Sequence, residues 1–122
     1  MRQDLPESIR RRKAAIFQAL GHPTRIAILE LLENGELSAG GLLKELSRGD
    51  PTAAQANLSQ HLAVLRSQQI VKTRKAGNQV FYSVRDPVIL EVLILLRSYL
   101  QTHLNELLSE LDPQDNLQEA AG

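Results

Sequence analysis

The chain has 122 residues, of which 14 are basic, 14 are acidic and none is cysteine. This length fits one domain with a modest core, and the lack of cysteine excludes disulfides, thiolate metal sites and a cysteine nucleophile. The longest apolar stretch, residues 88–96, contains a glutamate and is far shorter than the roughly 20 residues of a membrane span. Five basic side chains in the first 13 residues, with no apolar block after them, predict that the chain has no secretory signal and is cytoplasmic.

Prolines and glycines divide the first half of the chain into three predicted helices. Asp4 and Glu7 resemble a capping box at the start of the first helix, and Gly21 can end that helix in a left-handed conformation. Pro23 opens a short apolar second helix, which an Asn-Gly pair ends. Ser38 can cap the third helix.

A fourth helix is predicted over about residues 52–67. Either Asp50 or Thr52 can cap it, the first with Pro51 in the opening turn and the second in a capping box, and the sequence favours neither. Its leucines recur at spacings of four and three residues and form a stripe that faces the core, at Leu58, Leu62 and Leu65. The opposite face carries small or hydrogen-bonding groups without acids, so it can approach another molecule closely.

The apolar residues then alternate, which predicts two antiparallel strands, residues 71–75 and 80–84, joined by a Gly-Asn turn. The region 51–85 contains five basic side chains and no acidic one, whereas residues 86–122 contain one basic and seven acidic side chains. This segregation creates a positive local field in a chain of zero net charge, so we expect a polyanion as the partner.

Pro87 opens a fifth helix, predicted from Val88 to about Leu111. Fourteen of these 24 residues are apolar, whereas a helix buried along one side needs about three in seven, or roughly ten. The surplus needs a second apolar surface, which predicts self-association through another copy of this helix. Residues 112–122 are acidic and contain little apolar material, so we expect a disordered tail after a domain of residues 1–111.

Four helices, a basic hairpin and a long closing helix make a mainly α protein with a small β-hairpin, in the order of a winged helix-turn-helix. Three stretches resemble the ArsR/SmtB family of bacterial repressors: ALGHPTRIAILELL in the second helix, LSQHLAVLRSQQIV in the fourth, and KTRKAGNQVFYSVRDP through the hairpin. The resemblance covers about residues 14–105. It implies a homodimer, paired through its first and last helices, that places two fourth helices in successive major grooves of an imperfect palindrome.

The resemblance also implies which side chains contact DNA. Carried onto this chain, the base-reading positions on the fourth helix are Gln55, Asn57, Ser59 and Gln60. Gln and Asn can pair bidentately with adenine, and Ser can serve several bases. The hairpin residues that can reach phosphates or the minor groove are Lys72, Arg74, Lys75, Asn78 and Gln79. We expect a structural or phosphate role for Arg66 and a packed side chain for His61.

The chain departs from the family in two places. Ala56 stands where a small hydroxyl is frequent, so one contact is expected to be missing. The segment from Leu46 to Ser59 is about five residues longer than the usual family spacing. The addition either lengthens the turn before the fourth helix or extends that helix at its start, and the sequence leaves both open.

The effector is not predicted. Many relatives bind thiophilic metals through a cysteine pair at the start of the third helix, where this chain has Ser38 and Gly40, so that site is absent. Another group binds zinc-like metals between the long helices, and Asp86, His103 and Glu106 are fragments of that site. The separation from Asp86 to His103 is about one turn too long and a ligand histidine is missing, so we expect neither a metal nor another cofactor.

Two other functions fit the sequence less well. An enzyme would need convergent catalytic groups, whereas the three histidines fall in three helices without a Gly-rich phosphate loop or a carboxylate pair. A helical protein-interaction module without DNA affinity is the alternative, because the fifth helix is apolar and the net charge is zero. We therefore predict a sequence-specific repressor of transcription, not an enzyme, that binds double-stranded DNA as a homodimer.

Overall fold

The computed structural model describes residues 6–48 and 57–111. These ranges contain five α-helices and three strands, in the order α1 Glu7–Leu20, α2 Pro23–Leu31, β1 Leu37–Ser38, α3 Ala39–Ser47, α4 Leu58–Ser67, β2 Val71–Ala76, β3 Gln79–Val84 and α5 Val88–Leu111. The predicted order of a winged helix-turn-helix is confirmed. The chain forms two compact units, one up to Leu90 and one that contains α5 from Glu91 onward. The predicted acidic tail lies outside the described residues.

Aliphatic side chains from α1 to α4 and from β2 form the core of the first unit. The largest fully buried side chains are Ile28, Leu29, Leu42, Leu65 and Val71. The predicted leucine stripe of α4 is buried throughout, and α4 packs against α1 and α2. Because the stripe occupies one face of the helix, the face that contains Gln60 and Ala63 is exposed.

Side chains next to the helices bond to the backbone amides that begin them. Ser38 Oγ accepts a hydrogen bond from the Gly41 N–H at 3.0 Å, which confirms the predicted cap of α3. His22 Nδ1 and Asp86 Oδ1 accept equivalent bonds at the starts of α2 and α5, at 3.1 and 3.0 Å. These bonds satisfy amides that have no partner within their own helix. The caps by His22 and Asp86 were not predicted.

Both ends of α1 differ from the prediction. No capping box is found at its start, since Pro6 is the N-cap without a side-chain bond and Glu7 instead pairs with an arginine one turn on. Asp4 lies outside the described residues. Gly21 is not left-handed, with φ of −81°, and a Cβ there would lie 3.3 Å from the carbonyl oxygen of Phe17. The glycine therefore allows a close approach to the backbone and does not supply a positive φ.

The fourth helix begins later than predicted. It starts at Leu58 and not near residue 52, because Asn57 has a left-handed backbone with φ of 66° and ψ of 20°. A continuous right-handed helix cannot pass through such a residue, although Asn tolerates this conformation better than most. The additional residues of this segment therefore do not extend the described helix across Asn57. Gln55, with the rest of residues 49–56, lies outside the described residues.

The hairpin belongs to a three-stranded sheet, although only two strands were predicted. β2 and β3 are antiparallel, with Val71 opposite Val84, and Gly77 has φ of 61° in the turn between them. β1 pairs with the other edge of β3, with Leu37 opposite Tyr82. A strand of two residues is too short to show a periodic pattern in the sequence. It ties the hairpin to the start of α3.

The fifth helix has the predicted bounds, and many of its apolar side chains are exposed in the single chain. They are Val88, Ile94, Leu95, Leu96, Tyr99, Leu100, Leu104, Leu107, Leu108 and Leu111. An exposed apolar surface of this extent is typical of an interaction site. Among the helices that the structure describes, none is both long and apolar enough to cross a membrane.

We expect Leu65→Ala to lower the free energy of unfolding by about 2–5 kcal/mol, because it leaves a cavity in a packed core. Leu65 is fully buried, whereas Gln60 of the same helix is exposed. Gln60→Ala is therefore the matched control and should change the free energy by no more than about 0.5 kcal/mol. Urea denaturation at a fixed chain concentration, followed by circular dichroism, measures both. Equal stabilities of the two variants would contradict the buried position of Leu65.

Candidate nucleic-acid interface

The start of α4 brings together three of the four predicted base-reading residues. Asn57 directly precedes the helix, Ser59 and Gln60 lie in its first turn, and all three are exposed. They line an open groove of about 460 Å³ against Ala39 and Gly40 at the start of α3. The small side chains of α3 leave the polar groups of α4 accessible. The two helices thus present hydrogen-bonding groups on one surface.

A second groove, of about 390 Å³, lies between α4 and the hairpin. Arg66, for which the sequence predicted a structural or phosphate role, lines it together with Ser67 and Tyr82. Tyr82 falls within the second predicted strand, and nothing in the sequence indicated that it would line a groove with α4. The helix and the hairpin thus share one surface, to which Arg66 contributes a basic group and Tyr82 a phenolic group.

The hairpin exposes all five of its predicted contact residues. Lys72, Lys75, Asn78 and Gln79 are exposed, and within residues 6–48 and 57–111 neither lysine forms an ion pair. Successive side chains of a strand point to opposite faces, so the two lysines lie on different faces of β2. Their charges are available to a phosphate backbone on either side.

Arg74, which was also predicted to contact DNA, is engaged within the chain. Its Nε donates to Glu36 Oε2 at 3.2 Å, and its Nη2 donates to the other carboxylate oxygen. The guanidinium also lies over the Phe81 ring, 5.0 Å from the ring centroid. These bonds hold the pKa of Glu36 below its ordinary value and raise that of Arg74. Arg74 therefore fastens the hairpin to the residue that precedes β1.

His61 is packed, as the sequence predicted. Its ring is half-buried on α4 and lies 4.3 Å, centroid to centroid, from the ring of His22 at the start of α2. Burial, followed by the electrostatic effects of His22 and Arg25, lowers the pKa of His61. The side chain thus faces α2 and not the groove that Gln60 lines.

The basic segment of α1 also contacts the end of α4. Arg12 donates to the Gln68 side chain at 3.0 Å and to its carbonyl oxygen at 3.2 Å. This contact gives Arg12 a structural role, because it anchors the residue that follows α4.

The candidate metal ligands do not form a cluster within the described chain. Asp86 caps α5, while His103 Nδ1 and Glu106 Oε2 lie 3.9 Å apart on that helix. Residues 6–48 and 57–111 contain no group of three or more histidine or carboxylate side chains placed to hold a metal ion. The three candidate residues are therefore not brought together as a ligand set within the described part of the chain.

Comparisons with known proteins show what the chain is similar to. A family model described as a helix-turn-helix domain matches residues 20–74. The HTH-type transcriptional regulator Rv0081 of Mycobacterium tuberculosis is 39% identical over 106 residues, which are 87% of this chain and 90% of that protein. Its crystal structure gives a TM-score of 0.69 at 38% identity, over 84% of this chain and 99% of that chain.

Two further solved structures are similar. The transcriptional repressor BigR of Xylella fastidiosa gives a TM-score of 0.59 at 31% identity, over 79% of this chain and 96% of that chain. The homodimeric winged helix-turn-helix DNA-binding domain Mb0332 of Mycobacterium bovis shares the fold, with a TM-score of 0.68 at 24% identity, over 86% of this chain and 93% of that chain.

The fold shared with these relatives, together with the exposed polar face of α4 beside a basic hairpin, defines a DNA-binding transcriptional regulator of the winged helix-turn-helix class. The chain belongs to the ArsR/SmtB family of these regulators. The resemblance that the three sequence stretches carried is thereby confirmed.

We expect Arg74→Ala to raise the pKa of Glu36 towards its ordinary value, because the hydrogen bond from Arg74 is the largest cause of the lowered pKa. Lys72→Ala is the matched control and should raise this pKa less, since Lys72 acts only through space. An NMR titration of the Glu36 carboxyl carbon measures both. Because the folded-state pKa is lowered, the pair stabilises the fold above the ordinary value of 4.5, and this contribution is lost as the pH falls through the folded-state pKa. A Glu36 pKa that is the same in the wild type and in both variants would contradict the ion pair between Arg74 and Glu36.

Proposed function

We propose that the chain is a repressor that binds an operator as a homodimer, with α4 in the major groove and the hairpin on the backbone or in the minor groove. The exposed face of α4 carries this proposal, because it is free of acids and lies between α3 and a hairpin whose lysines have no ion pair among the described residues. A similar protein, BigR, is a transcriptional repressor.

The apolar face of α5 supports the homodimer. Its side chains are exposed in the single chain, with Leu95 at 70% and Tyr99 at 64%, and on α1 Phe17 is 65% exposed. A second copy of the chain would cover both helices with surface of the same kind. Two α4 helices related by a two-fold axis then face half-sites about 34 Å apart, which favours an imperfect palindrome as the operator. Mb0332, which shares the fold, is homodimeric.

Base reading is assigned to the start of α4. Asn57, Ser59 and Gln60 are exposed there, and their amides and hydroxyl match the hydrogen-bonding edges of bases in the major groove. Gln55 completes the proposed set. Contacts with phosphates or the minor groove are assigned to Lys72, Lys75, Asn78 and Gln79. Arg74 bonds to Glu36 through Nε and Nη2, so we assign it to positioning the hairpin, and its remaining N–H groups can still contact a phosphate.

We expect Gln60→Ala to weaken binding to a preferred duplex by about 1–3 kcal/mol and to change binding to random duplex much less, because Gln60 reads a base. The preferred duplex is obtained by selection from a random library with the wild-type chain. Fluorescence anisotropy at several salt concentrations measures both affinities. Equal losses on the two duplexes would refute base reading by Gln60.

Lys75→Ala is the matched comparison. It should weaken both duplexes alike and reduce the slope of log affinity against log salt by about one, because one phosphate contact is lost. A wild-type affinity that does not fall with salt would contradict the phosphate contacts, and with them the proposed function.

We expect Leu100→Glu to convert the dimer into single chains, because it places a charge in the apolar face of α5. Asn105→Glu adds the same charge about 140° around the helix, on the polar side, and should leave the dimer intact. Analytical ultracentrifugation at micromolar concentration measures both. A wild-type chain that sediments as a monomer would contradict the homodimer.

A further inference from the structure

Two histidines connect the start of α2 with the DNA-facing helix α4. The His22 and His61 rings lie 4.3 Å apart, with 43° between their planes. Both side chains are half-buried. The contact bridges two helices that pack on one another, and His61 does not line the groove of Asn57 and Gln60. None of the proposed DNA contacts uses either ring.

The cap that His22 provides for α2 depends on an unprotonated ring nitrogen. Its Nδ1 accepts the hydrogen bond from the Thr24 N–H at 3.1 Å that caps α2. A protonated imidazole carries a hydrogen on both nitrogens and can accept no bond. Protonation of His22 at Nδ1 would therefore remove the cap and leave an amide of the first turn without this partner.

His61 lies among groups that oppose a positive charge. The groups of α2 that face it are His22 and Arg25, and the Nε of Arg25 is buried without a hydrogen-bond partner in the described chain. The helix α1 also packs on α4. Its Arg12 donates a hydrogen bond to Gln68, which follows the end of α4. The pKa of His61 is lowered by burial and then by the two α2 groups. A proton on His61 would thus be unfavourable while α4 stays packed on α2.

We propose that the contact between His22 and His61 is a proton-sensitive contact that positions α4, so that acidification loosens α4 from α2 and weakens operator binding. This inference rests on the proposed function, since it concerns the affinity for DNA. It makes His22 and His61 positioning residues that touch no base or phosphate.

The direction of the effect follows from the lowered pKa. The packed form of His61 binds fewer protons than the loosened form, so the contact is fully present above the ordinary histidine value of 6.5. It weakens progressively as the pH falls below that value, down to the pKa of the packed form. A histidine that contacted phosphate would have the opposite effect, because protonation would strengthen binding.

The test measures the dissociation constant by fluorescence anisotropy between pH 7.5 and pH 5.5 at constant ionic strength. The probe is the duplex selected from a random library at pH 7.5. We expect the wild-type affinity to fall at least about fivefold across this range, and that of His61→Gln to fall less than about twofold. His22→Asn, which keeps a side chain able to cap α2, should also flatten the profile. The control His103→Gln removes the remaining histidine and should keep the wild-type pH dependence.

Two DNA-binding results would overturn the inference. One is the same pH profile for the wild type and His61→Gln. The other is an affinity that rises in acid and loses this rise in His61→Gln, which would make His61 a phosphate contact.

A second measurement needs no DNA. The NMR titration of the His61 ring should have its midpoint below 6.5, and a midpoint at or above that value would overturn the inference. A chain that binds no duplex at pH 7.5 would instead contradict the proposed function, and the proposed effect on DNA affinity with it. The NMR titration would still decide whether the contact is sensitive to protons.

Discussion

The burial of one leucine stripe on α4 determines which face of that helix is exposed. Leu58, Leu62 and Leu65 occupy a single face of the helix and are buried. Each of these side chains contributes about 1.5–3 kcal/mol when it is fully withdrawn from water. Turning α4 to expose another face would forfeit this contribution, so the polar face is fixed outward. The orientation of Ser59 and Gln60 is therefore a consequence of packing and not of any contact with DNA.

The basic side chains of the hairpin divide into two kinds. Arg74 bonds to Glu36, and its guanidinium lies over the Phe81 ring. These two contacts hold the hairpin beside β1. Lys72 and Lys75 are exposed and form no ion pair within the described residues. The stiff, planar guanidinium suits a bidentate bond within the protein, whereas a flexible ammonium suits a phosphate contact as a point charge. A count of positive charges alone does not separate these roles.

Local patterns predicted most of the fold. The spacing of leucines located α4, alternation located β2 and β3, and Ser38 was identified as a cap, because each signal lies within a few residues. The left-handed backbone of Asn57 shifted the start of α4, since Asn permits that conformation without requiring it. Contacts between distant residues gave no signal, and these include Arg74 with Glu36 and His61 with His22. The exposed side chains of the candidate site could be predicted from the sequence. The contacts that these elements make within the protein could not.

A symmetric dimer would amplify small changes in the position of α4. The complex with a palindrome contains two copies of each contact, one per half-site, and free-energy changes at well-separated sites add. A change that weakens one α4 contact threefold therefore weakens the whole complex about ninefold. A contact on the buried side of α4 can control operator affinity in this way without touching the DNA. The ring contact between α2 and α4 occupies such a position, because it lies where α4 packs on α2 and is separate from the proposed DNA contacts.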